Sequence, residues 1–227
     1  MLTKGALVNE PLTLAKRMAH AQAEKRRRRR RRGLGGPRGP EIVLFLGRWL
    51  RAPHRVGAVA PSSRYLARAM AKQVDLRAQG IVVELGGGTG SVTKALLEVG
   101  VPAERLVVVE NDERLYHALR RRFPRLKIVL GDARQLTAVL RPLGIHSVSA
   151  VVSSLPLVAM PKAIRRKIVD ESFALLGDAG QFIQYTYGLT SPLHRRELGL
   201  KGRIAARIWL NVPPAVVWSF RRAAMAV

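Results

Sequence analysis

The stretch GIVVELGGGTGSVTK at residues 80–94 constrains the fold more tightly than any other part of the chain. Ile81, Val82 and Val83 make a short β-branched run, and Val92 to Val99 reads as a helix, so the glycines join a strand to a helix N-terminus. That is the context of a phosphate loop in general, yet both familiar spacings fail. A dinucleotide fingerprint needs G-x-G-x-x-G, but Ser91 or Thr93 falls at the third position when the count starts from Gly86 or Gly88. A Walker loop needs Gly-Lys-Ser/Thr, whereas here Lys94 follows Thr93. What fits is E-x-G-x-G-x-G, from Glu84, Gly86, Gly88 and Gly90. Taken alone, such a turn need do no more than tighten a strand-helix corner.

Composition sets the outer limits. With 227 residues, 48% of them hydrophobic, the chain can bury one sizeable core. It has no cysteine, which excludes disulfides, thiolate zinc sites and a cysteine nucleophile; no metal is expected. The longest uncharged stretches, such as Ser147 to Pro161, fall short of the roughly 18 apolar residues that span a bilayer, and the N-terminus lacks the sustained apolar run of a secretory signal. Formal net charge is +25, and residues 1–40 contribute 12 Lys or Arg against two acids. Lys25 followed by Arg26 to Arg32 repels itself and ends in the linker GLGGPRGP, so residues 1–40 read as a basic, largely disordered extension. Such a block binds polyanions without choosing between RNA, DNA and an anionic membrane face.

From residue 41 strands and helices alternate. Strand-like runs fall at Ile81 to Glu84, Leu106 to Glu110, Lys127 to Leu130, Ser149 to Ser153 and Gln181 to Tyr187, with helical stretches such as Glu113 to Phe123 and Pro161 to Leu176 between them. Alternating βα units imply a parallel sheet covered by helices on both faces. The last two runs, Arg203 to Asn211 and Ala215 to Arg221, are separated only by VPP, too short for a helical crossover, and should pair antiparallel.

The glycine motif resembles motif I of the class I S-adenosylmethionine (SAM) methyltransferases. SAM carries no pyrophosphate but has an amino-acid end, so a carboxylate beside a glycine turn suits its ammonium. Glu110 closes the second strand 24 residues after Gly86, near the spacing at which an acid reaches ribose hydroxyls, and a carboxylate can accept both. Asp132, in LGDA after the third strand, stands where the resemblance puts an acid against the adenine amine. The same resemblance extends the cofactor set to Gly87, Thr89, Asn111, Ala133 and Ser153. It implies a Rossmann-like α/β fold with a mostly parallel seven-stranded sheet and a C-terminal antiparallel hairpin, taking SAM and releasing S-adenosylhomocysteine.

After the fourth strand, methyltransferases acting on adenine carry an aromatic that stacks on the extruded base. Here the segment is SSLPL, and Leu157 occupies that position, which weakens a ribosomal-RNA adenine dimethyltransferase reading. Upstream, Ile42, Phe45, Leu46, Trp49 and Leu50 form one apolar helical face, stopped by Pro53; the stretch at about 41–51 suits a helix packed on the sheet or one lying at a membrane interface. Phe45, Trp49, Pro53, Gly57, Pro61, Ser62 and Ser63, then ELGGGTG, then SSLPL, together resemble the bacterial phospholipid N-methyltransferases. That resemblance covers about residues 41–227. It implies stepwise methylation of phosphatidylethanolamine toward phosphatidylcholine by a cytoplasmic enzyme at the inner face of the membrane. Anionic lipid, rather than a specific nucleic acid, is then the expected partner.

An ethanolamine ammonium has a pKa of about 10 and must shed a proton before its lone pair attacks the sulfonium methyl. His54 and His194 are candidate bases, with neither singled out. Tyr185 and Tyr187 alternate on one strand face, where they either pack the sheet or surround a cation that can no longer donate hydrogen bonds. Ser153 and Ser154 can contact cofactor or amine, and His194 and Arg195 are candidates for the headgroup phosphate, as are Arg55, Arg64 and Arg196.

Overall fold

The computed structural model describes residues 62–177, 179–188, 190–211 and 213–223. The basic run, the apolar stretch at 41–51 with Phe45 and Trp49, and His54 lie outside the described residues. Ser62 and Ser63 enter as the first two residues of helix α1 (Ser62–Ala71). The chain then runs through β1 (Ile81–Leu85), α2 (Ser91–Glu98), β2 (Leu106–Glu110), α3 (Glu113–Arg122), β3 (Lys127–Leu130), α4 (Leu136–Leu140) and β4 (Val148–Ser153). It continues with α5 (Lys162–Leu176), β5 (Gln181–Thr186), β6 (Leu200–Ile208) and β7 (Ala215–Arg222).

The seven strands form one sheet in the order β3-β2-β1-β4-β5-β7-β6. Strands β1 to β5 are parallel, and β7 is antiparallel to both β5 and β6. The central strands are apolar almost throughout because both faces are covered; all five residues of β2 are buried. Alternate side chains serve two cores. Val83, Leu85, Val107, Val109 and Val151 face α4 and α5, whereas Val82, Val108 and Val152 face α1 and α2.

Local chemistry fixes the helix ends. Asp112 caps α3 by accepting from the Leu115 N–H at 2.9 Å, and Arg120, Arg121 and Arg122 crowd its last turn, where cations suit the helix dipole. The hairpin departs from the sequence pattern in register: its first strand is Leu200–Ile208 rather than Arg203 to Asn211. Asn211 turns back, its side-chain amide donating to the Pro213 carbonyl at 2.7 Å, and this ends the strand before Trp209 and Leu210. Among the described residues, no helix is long and apolar enough to cross a membrane.

Candidate functional site

The C-terminal ends of β1, β2 and β3 open onto a groove of about 250 Å³. Gly86, Glu110, Asn111, Asp132 and Ala133 form its sheet side; Leu155, Met160 and Ile168 close it with apolar surface from the loop after β4 and from α5. Open parallel sheets place ligands at this edge because the strands end there and the loops are free to carry function. The sequence supplied the polar half of this list. The apolar half was not legible, since nothing local distinguishes Met160 or Ile168 from other core residues.

Glu84 is completely buried in β1, beneath the glycine turn. Thr93 of α2 donates to its Oε2 at 2.6 Å, while Oε1 is buried without a partner. Burial pushes its carboxyl up to about 8, with the Thr93 hydroxyl pulling against that shift and the nearby Glu110 charge adding to it. A buried, bare carboxylate oxygen is an unstable arrangement unless a cation completes it. The ammonium of SAM's amino-acid end has that chemistry, so this residue set fits the cofactor.

Glu110 is buried and serves the turn directly. Its Oε2 accepts from the Gly88 N–H at 2.8 Å, and its Oε1 accepts from the N–H groups of Asn111 at 2.8 Å and Asp112 at 2.9 Å. A carboxylate offers about four acceptor sites, so capacity for a ribose hydroxyl remains while the same group pins the glycine loop to β2. Asp132 caps the short helical turn at Ala133–Gln135 through the Arg134 N–H at 2.8 Å, and the Arg134 guanidinium grips its other oxygen. These bonds hold Asp132 below the usual carboxylate range, against the opposing effect of its partial burial. An adenine amine would share this acceptor with Arg134, a partner invisible to motif reading.

The glycine loop itself is held from outside. Arg122 donates to the Thr89 carbonyl, and the Thr89 and Ser91 hydroxyls lie 3.2 Å apart. A Cβ on Gly87 would meet Val108 Cγ1 at 2.5 Å, so this glycine is required by packing against β2.

Beyond β1 the sheet edge carries further unsatisfied acceptors. The Ser153 and Ser154 hydroxyls and Gln184 Oε1 are all buried without a hydrogen-bond partner. Ser153 pairs in register with Leu85 on one side and Gln184 on the other, so these groups sit at one level on adjoining strands. Gln184 Nε2 donates to the carbonyls of Leu155 at 3.0 Å and Tyr185 at 2.9 Å, which fixes the amide and leaves its oxygen bare. Gln184 was missed in the sequence; its only signal was an amide within the apolar run FIQYTYG.

Tyr185 and Tyr187 meet edge to face with ring centroids 5.4 Å apart. They pack against the core on the α1 and α2 side of the sheet. Burial drives the Tyr185 hydroxyl far above the ordinary tyrosine range, so it stays protonated; burial also raises Tyr187, against the pull of the Asn211 side chain and of Tyr185. Leu157 is 1% exposed and sits inside the core, with no ring and no open face. His194 and Arg195 are exposed in the segment between β5 and β6. The Arg195 guanidinium lies over the Trp218 ring at 5.7 Å and donates to the Gly202 carbonyl at 3.1 Å. Gly202 is level with Phe182 near the start of β5, so the structure holds Arg195 there instead of bringing it to the groove.

Comparison with known proteins gives this geometry a context. Residues 82–180 match the family model described as a methyltransferase domain. The ornithine lipid N-methyltransferase of Singulisphaera acidiphila is 34% identical over 149 residues, which span 64% of this chain and 78% of that protein. The ribosomal RNA small subunit methyltransferase A of Bradyrhizobium diazoefficiens is 44% identical over 79 residues, only 33% of this chain and 26% of that protein. In fold, the chain is similar to a glycopeptide N-methyltransferase crystallised with SAM, at TM-score 0.55 and 17% identity, over 72% of this chain and 95% of that one. A SAM-bound amino pentose methyltransferase from Micromonospora echinaspora gives 0.54 and 14%, over 75% and 95% of the respective chains.

Proposed function

This chain belongs to the class I SAM-dependent methyltransferases, and from that premise we propose that it methylates the primary amine of a membrane lipid. Phosphatidylethanolamine, carried stepwise toward phosphatidylcholine, is the acceptor suggested by the sequence resemblance. An ornithine lipid is a second acceptor of the same chemistry, favoured by the similarity to the Singulisphaera enzyme across 78% of its length.

The observation that carries the reading is the row of bare acceptors, Ser153, Ser154 and Gln184, at the ends of β4 and β5. A neutral amine has N–H groups to donate and one lone pair to use. Gln184 Oε1 and the Ser154 hydroxyl can accept the N–H groups and so aim the lone pair. When bound, SAM supplies an electrophilic methyl on its sulfonium. Glu84 holds the ammonium of the cofactor, Glu110 takes a ribose hydroxyl while keeping the glycine loop closed, and Leu155, Met160 and Ile168 exclude water from the groove. As the acceptor gains methyl groups it loses N–H donors, and aromatic ring faces suit the quaternary cation at the end of that series; Tyr185 and Tyr187, the candidates for that role in the sequence, face the α1 and α2 side of the sheet, away from these acceptors. A flipped adenine would need a stacking surface in place of the buried Leu157, and the ribosomal-RNA relative matches over 79 residues alone.

The test is methyl transfer from labelled SAM to vesicles containing phosphatidylethanolamine or ornithine lipid, with small-subunit ribosomal RNA as a parallel acceptor. Label in a lipid amine, identified by mass, is the expected result. Label confined to RNA would overturn the lipid reading.

A further inference from the structure

Trp209 and Leu210 are consecutive, and they are 70% and 72% exposed, against 46% or less for every other large hydrophobic side chain among the described residues. They form the tip of the β6-β7 hairpin. Pairing fixes which end of the sheet that is: Thr186, the last residue of β5, pairs with Val216, and Ile208, the last of β6, pairs with Ala215. The tip therefore projects from the edge at which β1 to β5 end and the cofactor groove opens. Asn211, buried, donates to the Pro213 carbonyl, and the two apolar side chains just before it are exposed.

A cation stands beside the tip. Arg207 is exposed just before it, at the end of β6. Helix α1 packs on the same hairpin, its Leu66 and Met70 sharing a core with Ile208 and Ala215. Trp straddles the apolar and polar layers of a bilayer interface, and an arginine beside it matches anionic headgroups.

We propose that the Trp209-Leu210 tip is a membrane-docking element that inserts into an anionic lipid surface and sets the catalytic edge of the sheet against it. The proposal rests on the lipid reading above for its choice of partner. It gives that reading a geometry: a lipid amine then enters the groove from the bilayer without leaving it.

The chain has no cysteine, so Leu210→Cys creates a single site for an environment-sensitive fluorophore. Glu104→Cys, exposed just before β2 at the opposite edge of the sheet, is the control. With vesicles of phosphatidylethanolamine and phosphatidylglycerol bearing an acyl-chain nitroxide, the probe at 210 should shift to the blue and be quenched while the probe at 104 stays in water. The pair Trp209→Ser and Leu210→Ser should weaken vesicle binding by about tenfold or more and leave calorimetric SAM affinity unchanged. A probe at 210 that stays in water on vesicle-bound protein would overturn the proposal. So would a shift produced by RNA in place of vesicles, or one that rises with protein concentration without lipid, which would mark a contact between copies. Methyl transfer to lipid with no quenching sinks the docking element and leaves the lipid reading standing. Quenching with no transfer to any lipid amine supports the docking element and sinks the substrate.

Discussion

Glu84 ties the stability of the protein to its cofactor. Its carboxyl keeps a proton up to about pH 8 in the folded chain but only to the ordinary glutamate value of 4.5 when unfolded. Between those values the folded state binds more protons, so this group's contribution to stability is fully present below 4.5 and is lost as pH rises toward 8. An ammonium against the bare Oε1 reverses the preference and favours the carboxylate. SAM binding should therefore release a proton and tighten between about pH 6 and pH 8. Glu84→Gln should stabilise the ligand-free protein at pH 8 by about 1–2 kcal/mol, read by urea denaturation. The same change should weaken SAM binding and flatten its pH dependence, read by calorimetry. Equal affinity in parent and variant at pH 8 would take Glu84 out of the site.

At the scale of the element, the glycine loop separates two reasons for a glycine. Gly90 has φ +81° and a Cβ there would meet Phe123 Cε2 at 2.5 Å, so backbone and packing both forbid a side chain. Gly88 has φ +54°, yet the nearest atom to its missing Cβ is the Gly86 carbonyl oxygen at 3.9 Å. Gly90→Ala should destabilise the fold by roughly 2–3 kcal/mol through strain and overpacking. Gly88→Ala should cost about 1–2 kcal/mol while lowering SAM affinity at least as much, because a cofactor held by the loop would approach through the open space above it. Denaturation and SAM titration on both variants separate the two effects. A Gly88 variant with parental affinity would move the cofactor away from the loop.

At the scale of the whole molecule, charge and apolar contact make different demands on a lipid surface. The chain carries a net +25, with eight consecutive basic residues from Lys25 to Arg32. Each Lys or Arg near an anionic bilayer contributes about 1 kcal/mol, and salt screens it within a Debye length. Apolar side chains such as Trp209 and Leu210 bury area whose contribution salt does not screen. Deleting residues 1–32 should accordingly weaken vesicle binding at low ionic strength and change it little at high, with turnover on bound vesicles close to parental. Vesicle sedimentation over a salt series checks this. A loss of turnover on bound vesicles would assign the basic extension a role in presenting the substrate.

The strand-glycine-helix unit, the three acids at strand ends and the antiparallel hairpin were all legible in the sequence, because each follows from the chemistry of neighbouring residues and from spacing along one strand. Periodicity tells which residues share a face; it does not tell what faces them. Only the tertiary structure turned Glu110 onto the Gly88 N–H, 22 residues away, gave Asp132 its Arg134 clamp and brought Gln184 level with Ser153. Arg195, read as a headgroup cation, was instead taken up by Trp218 and Gly202. Trp209 and Leu210 read as the end of a strand, where apolar residues are ordinarily covered. Asn211 closed the turn after them and left both side chains in solvent at the edge where the groove opens. That outcome depends on where three strands end relative to one another, which no stretch of chain encodes by itself.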